Sequence, residues 1–445
     1  LEDDYHPFRG GFQLEGHSMG DKIRNWLVGY LDNDVMRENA IFSIADGMTY
    51  SIMNGLTMSF MGVFALRLGA TDQMLGFLAA WPALMGLIAQ IPSAIITERT
   101  NLKLKPLLAW CWAHRINYLF YAMIPFLPIS GIMKAWVFIA LVTMMNFPAM
   151  VVNTMWAQLM GEIFPIRYRG RIFGDRNFIV GWITLGSMLL AGPLLDHIPF
   201  PYNFGLLFFL AFLGLVASTY YLAKIKEVKV ESAEVEITPQ SKPFDGMRLV
   251  IKDKHFLSFT AASFIYYIGF NISASMWTIL HVRVLLLSNT QIATISILST
   301  ITATLSYRFW GRVSDQIGNK QVYFIACLLF LMQPWLHAYV NQNTLWLLWA
   351  LSVANGLASG AFNLSQFNTL LSVAPNPAIR PSYMAFFNMA MQVTGFVFPM
   401  LGMMIYLNIG NLLNPIFYLS TIFRAIGLVY MAYVIKMKWP FGKKK

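Results

Sequence analysis

The chain is short of charge. Only 12% of its 445 residues are Asp, Glu, Lys or Arg, against about 25% in a soluble domain. With 57% hydrophobic residues and a mean hydropathy of +0.55, it has too little polar surface to cover a water-soluble fold of this length. It is also short of cysteine. Cys111 and Cys327 both lie in apolar runs, fit no metal spacing and make no secreted disulfide framework, so both are expected to be small buried apolar groups. A Walker loop GxxxxGK(S/T), a GxSxG nucleophile elbow and His/Cys clusters at metal spacing are likewise missing. These absences argue against ATP-driven pumping by this chain alone and against hydrolase or metal-centred catalysis. No enzyme activity and no cofactor are expected.

What the chain does have is long apolar runs. Twelve candidate spans cover residues 39–66, 73–96, 106–129, 132–160, 174–195, 203–223, 256–283, 289–309, 321–340, 344–371, 382–407 and 412–435. Most are long enough to cross a hydrocarbon core of about 30 Å at about 1.5 Å per helical residue. Prolines 82, 92, 148, 193, 334 and 399 fall inside them, as lipid-embedded helices tolerate.

The basic residues orient these spans. Both termini and loops 97–105, 161–173, 224–255, 308–320 and 372–381, with a few flanking residues, hold 27 of the 32 Lys and Arg. The opposite loops hold three (Arg67, Lys134 and Arg283), and Arg115 and Arg424 lie within spans. The positive-inside rule then puts both termini on the cytoplasmic side of a multi-pass cell (cytoplasmic) membrane protein. The net charge of +11 reads as topology rather than as nucleic-acid binding. The first 35 residues are polar and mixed, with no cleavable signal expected, and residues 20–37 have the pattern of a short interfacial helix.

The long polar segment 224–255 divides the spans six and six, which gives a division into a leader (1–38), a first six-helix bundle (39–223), a cytoplasmic linker (224–255), a second bundle (256–437) and a basic tail (438–445). The halves repeat weakly. A shift of 217 carries Tyr50 and Asn54 onto Tyr267 and Asn271, and ITERTNLK (96–103) onto VSDQIGNK (313–320). A shift of 211 carries Arg169 onto Arg380 and Asn177 onto Asn388. Parallel repeats of this kind put a site at their interface, near the bilayer midplane.

The 6+6 layout, GRVSDQIGNK (311–320) after the eighth span and FPIRYRGRIFG (164–174) after the fourth together resemble the major facilitator superfamily. The resemblance implies an all-α integral membrane fold of twelve transmembrane helices in two pseudo-symmetric six-helix bundles. It implies a cytoplasmic gate. Gly311 would allow two helices to approach, Gly318 would form a sharp turn, and Asp315, with Arg312 beside it, would face the start of the fifth span near Arg169 and Arg171. Glu98 would face the start of the eleventh span near Arg380. The first-half copy departs from the pattern, because ITERTNLK lacks both glycines.

In that family the first, fourth, seventh and tenth spans line the cavity. Their polar faces present Tyr50 and Asn54, Asn146 and Asn153, Tyr267 and Asn271, and Asn355, Asn363 and Gln366. An Asn in hydrocarbon needs a partner or water, so stacked Asn on four spans suits a wet cavity. Packing hydrogen bonds between helices are the alternative. Asp46 is the sole carboxylate well inside a span, and the second half has none. Asp46 is a candidate for proton coupling or else the partner of Arg115. His281 is a further titrating group. Arg424 is expected in a peripheral packing or lipid-headgroup role. The expected function is secondary transport of a small organic solute, possible proton coupling included, by a monomer whose partners are the solute and membrane lipids. A lipid or lipid-precursor flippase and a non-transporting receptor or assembly factor are the alternatives on the same scaffold.

Overall fold

The computed structural model describes residues 28–434 apart from 32, 101, 228–242 and 375–379. The first half contains α1 (Asp34–Thr57), α2 (Met61–Leu68), α3 (Asp72–Glu98), α4 (Leu104–Met123), α5 (Gly131–Ile163), α6 (Ile166–His197) and α7 (Tyr202–Ala223). A linker helix, α8 (Pro243–Lys252), precedes α9 (Lys254–Ile272), α10 (Met276–Ile279) and α11 (Asn289–Ile317). The chain ends with α12 (Asn319–His337), α13 (Leu345–Val373), α14 (Arg380–Asn408) and α15 (Asn414–Val434). No strand occurs among the described residues.

Local chemistry explains many helix starts. Asn33, Thr71 and Ser130 each accept a backbone N–H of the following turn, Asp253 accepts two, and Ser288 forms a capping box with Gln291. Such caps satisfy donors that have no partner within the helix.

Eight helical segments are long and apolar enough to cross a membrane, and the α1–α2 pair, bent by 47°, makes a ninth. One of the eight joins α9 to α10. Three more rods, α4, α11 and α12, have 20, 29 and 19 residues and complete a set of twelve among the described residues. Within each of the eight segments 28–50% of the most apolar window is buried inside the protein. The rest points outward, with Leu190, Val429 and Tyr433 at 69, 71 and 79% exposure. Water would not tolerate so large an apolar surface, whereas lipid does.

The two charged segments are more helical than their composition suggests. Helix α11 continues through Gly311, Arg312 and Asp315 to Ile317, and the turn comes only at Gly318, whose φ of +91° is open to glycine. Likewise α6 begins at Ile166, directly after Pro165, so most of FPIRYRGRIFG is the first turns of a helix.

Packing between the rods repeats from half to half. Helix α1 packs on α6 and α7, as α9 packs on α14 and α15. Helix α3 packs on α5, as α11 packs on α13, and α4 packs on α5 and α7, as α12 packs on α13 and α15. The halves meet through α3 against α14 and α6 against α11, pairs that exchange when the halves exchange. Away from the basic segments, Phe64, Tyr121, Phe138 and Phe208 make close edge-on and tilted contacts. This buried aromatic knot fastens α2, α4, α5 and α7.

Candidate functional site

Asp46 on α1 lies between two arginines of other helices, with Arg115 Nη2 on α4 at 3.8 Å and Arg176 Nη2 on α6 at 3.7 Å. Ser218 on α7 donates to Asp46 Oδ1 at 2.5 Å. Arg115 also donates to the Leu215 carbonyl at 3.1 Å and to the Thr219 hydroxyl. Arg176 Nε donates to the Ser43 carbonyl at 3.1 Å, and its guanidinium lies 4.8 Å from the Trp156 ring centroid. One carboxylate thus ties four helices of one bundle together. Gly47 makes room for it, because a Cβ there would come within 2.9 Å of the Arg176 guanidinium carbon. Of the two roles open to Asp46 in the sequence, the geometry makes the pair with Arg115 and adds Arg176. In the sequence Arg176 is one more positive charge beside a basic loop; only the fold turns it inward. Arginine does not deprotonate in proteins, so the cluster is net positive in either state of Asp46. It borders a cavity of about 280 Å³ whose wall includes Tyr50, Asn54, His114 and Asn153.

The second half handles its one intramembrane arginine differently. Arg424 stands midway along α15 and is 2% exposed. Its Nη1 donates to the Phe330 carbonyl at 2.6 Å, and its guanidinium lies 4.9 Å from the Phe270 ring centroid. Nε has no hydrogen-bond partner, and no carboxylate pairs with Arg424 among the described residues. Arg424 lines a cavity of about 400 Å³ together with Trp277, His281, Gln333, His337 and Asn355, and Ser59 and Met188 of the first half add to the wall. This corrects the expected peripheral role: α15 packs against α9 and α12, and the guanidinium reaches their shared interior. His281 Nε2 is also without a partner. His337 Nδ1 lies 2.7 Å from the Gln333 carbonyl, and its ring meets Trp277 edge-on at 4.8 Å.

A third cavity, of about 480 Å³, lies at the junction of the halves and takes in Gln90, Met150, Tyr267, Asn271 and Gln392. Phe270 borders both this space and the Arg424 cavity. Tyr267 accepts from Gln366 at 2.8 Å, Asn271 donates to Thr394 at 2.9 Å, and Asn355 donates to Ser299 at 2.9 Å. Asn146 is spent within its own helix, on the Val142 carbonyl at 2.8 Å. Asn363 is exposed and donates to the Tyr307 hydroxyl at 3.4 Å. Six of the nine sequence-derived polar residues thus line three separate spaces rather than one, and Asn146, Asn363 and Gln366 line none of them.

Polar contacts between the halves gather at the end away from the basic segments. Asp196, at the end of α6, accepts the backbone N–H of Asn289 at 3.0 Å and of Thr290 at 2.8 Å, and both side chains at 2.7 Å. A carboxylate there suits the positive N-terminus of α11. Arg283 pairs with Asp72 at 2.9 Å, and Ser59 donates to Ser296 at 2.8 Å. At the basic end the expected pair of Asp315 with Arg169 or Arg171 is not formed among the described residues. Arg312 and Asp315 are exposed and make no ion pair among the described residues. Arg171 covers the Tyr30 ring at 3.7 Å, and Arg169 is bound to the Phe164 and Gly161 carbonyls of its own bundle. Nothing stands within 4 Å of a Cβ built on Gly311, so the close helix approach expected there is absent. The side chains of Glu98 and Arg380 lie outside the described residues. Asp72, Asp196 and Arg283 sit at span ends, where the sequence carries no signal that they reach across to the other half.

A sequence model of the Major Facilitator Superfamily matches residues 259–440. Among curated proteins none matches the chain in sequence. The fold is similar to that of the nucleoside transporter NupG, with 14% identity, a TM-score of 0.63, and coverage of 91% of this chain and 100% of that one. It is also similar to a D-xylose-proton symporter, at 13% identity and a TM-score of 0.65, covering 92% of this chain and 97% of that one. A bacterial homolog of the human lysosomal transporter Spinster, inward-facing and occupied, aligns at 13% identity with a TM-score of 0.64, covering 91% and 97%. A sequence match over residues 259–440, a fold match over nine-tenths of the length and two bundles packed alike show that the chain has the fold of the major facilitator superfamily.

Proposed function

We propose that the protein is a secondary transporter that moves a small organic solute across the cytoplasmic membrane by alternating access. The basic end and both termini lie in the cytoplasm. One observation carries this reading: every polar contact between the described halves lies at one end, while polar-lined cavities occupy the bundles and their junction. Halves bonded at one end alone can rock, and the conformation corresponds to closure outside and opening inside. The polar lining argues against the dry centre that a non-transporting receptor would have. The relatives named above act on a nucleoside and on xylose with protons, but identities of 13–14% support the shared fold and not a shared substrate. A single chain holds both bundles and all three cavities, so a monomer suffices, with the solute and the surrounding lipid as its partners.

Asp46 serves here as counter-ion to Arg115 and Arg176, not as an independent proton carrier. In proteoliposomes an Asp46→Asn protein that still folds keeps its response to a pH gradient; loss of coupling alone would return the proton to Asp46. The alternating-access reading is tested by labelling. Both native cysteines are buried, so an Asn363→Cys protein carries one reactive thiol. An impermeant maleimide labels it in inside-out vesicles and not in right-side-out ones. Equal labelling from both faces sinks the inward-open assignment, and outer-face labelling that no solute ever changes sinks the alternation.

A further inference from the structure

We propose that the transported solute is a small organic anion, and that its charged group binds Arg424 in the 400 Å³ cavity. The inference rests on the transporter reading above and adds the substrate class. Arg424 is a buried cation at the middle of its helix with an unpartnered Nε. Its neighbours supply one carbonyl and one aromatic face, and neither carries a full negative charge. From residue 246 onward the chain has only two acidic residues, Asp253 and Asp315. Asp253 caps the start of α9 and accepts the Tyr383 hydroxyl at 2.9 Å, and Asp315 is exposed near the end of α11. Neither can neutralise a charge in the middle of α15. A cation buried in a membrane without a counter-ion is costly, and a guanidinium fork matches a carboxylate or phosphate oxyanion.

The rest of the wall describes the body of the ligand. Phe270, Trp277 and Phe330 offer aromatic faces, and His281 Nε2 is a second unpartnered polar atom in the same wall. The volume lies within the range of small-molecule sites, about 300–1,000 Å³. A planar anion of one ring fits the aromatic part of this wall, and Ser299, Thr300, Gln333 and Asn355 can bond polar substituents on it. The position also links binding to motion, because Ser59 and Ser296, which bond across the halves at 2.8 Å, both belong to the cavity wall.

The test uses the full chain in nanodiscs with benzoate, phenyl phosphate, neutral benzamide, chloride and sulfate as probes, read by thermal shift and tryptophan quenching. Benzoate or phenyl phosphate is expected to bind wild type, and which of the two binds more tightly separates carboxylate from phosphate recognition. Binding to Arg424→Met falls about tenfold to hundredfold, the usual worth of charge-assisted hydrogen bonds, and Arg424→Lys retains part of it. Benzamide does not bind. Equal stabilisation by chloride or sulfate, or binding of benzoate and phenyl phosphate that Arg424→Met leaves unchanged, overturns the proposal. Binding of neither organic anion overturns it as well. Flux in proteoliposomes separates the two layers of the argument. An anion that binds at Arg424 but never crosses keeps the Arg424 site and overturns the claim that such an anion is the transported solute. A neutral solute that crosses at the same rate in Arg424→Met keeps the transporter reading and overturns the anion inference.

Discussion

The two bundles share one packing plan and differ in how they treat buried charge. In the first, Asp46 neutralises part of two arginines and ties α1, α4, α6 and α7 together. In the second, the repeat places Ser263 where Asp46 would be and Phe387 where Arg176 would be, and the one intramembrane arginine, Arg424, has no carboxylate partner among the described residues. Similar backbones therefore carry opposite electrostatic designs. The first-half charges are committed to the protein itself, and the second-half charge is left for a ligand. This difference argues that the first bundle is the stiffer frame and the second the more responsive to solute.

Removing the shared counter-ion should have the largest effect. Asp46→Ala leaves two buried arginines uncompensated and is expected to destabilise by about 3–5 kcal/mol, measured by thermal unfolding of the purified protein. A loss below about 1 kcal/mol, the scale of an exposed ion pair, would mean that the first-half charges are solvated and the contrast with Arg424 is false. Arg424→Met should move the other way. Replacing an unpaired buried charge with an apolar side chain of similar length is expected to raise the unfolding midpoint, by up to about 1–4 kcal/mol of stability. A lower midpoint would point to a hidden partner and erase the asymmetry.

The glycines that seat these charges sharpen the comparison further. A Cβ at Gly269 would meet the Ser420 carbonyl at 2.4 Å and the Arg424 backbone N at 2.8 Å, whereas one at Gly47 would meet mainly side-chain atoms of Arg176 and Val180. Side chains yield more readily than backbone, so Gly269→Ala should cost about 1–3 kcal/mol and Gly47→Ala less. The reverse order in a melting series would show that the Asp46 cluster tolerates no displacement. The smallest effect belongs to Asp196. Asp196→Ala removes the cap that the first half places on α11, worth about 1 kcal/mol, and should increase labelling of a cavity cysteine from the extracytoplasmic face. Unchanged labelling would mean that the remaining contacts, Asp72–Arg283 and Ser59–Ser296 among them, hold that end without the cap.

Much of the fold was legible from the residues. Apolar runs of membrane length and the skew of Lys and Arg follow from composition and order. The Asp46–Arg115 pair was one of two roles the residues left open, because a carboxylate and an arginine stranded in apolar helices have few ways to be satisfied. Other features were not legible. Arg176 looks like one more positive charge beside a basic loop until α6 is seen to begin at Ile166. Asp196 looks like an ordinary helix end until Asn289 and Thr290, more than ninety residues away, present their N–H groups to it. The charged segment at 311–320 suggested a tight loop, yet its helix runs on because only Gly318 breaks the backbone pattern.

Sequence alone determined that this chain is built of apolar helices for a bilayer and where its basic residues gather, since hydration of side chains and hydrogen bonding within a helix are local properties. Tertiary structure decided which charges meet. Whether an arginine finds a carboxylate depends on helix rotation and on contacts between residues a hundred or more positions apart, and local physics does not set these. Thus Asp46 acquired two cationic partners and Arg424 acquired no carboxylate among the described residues.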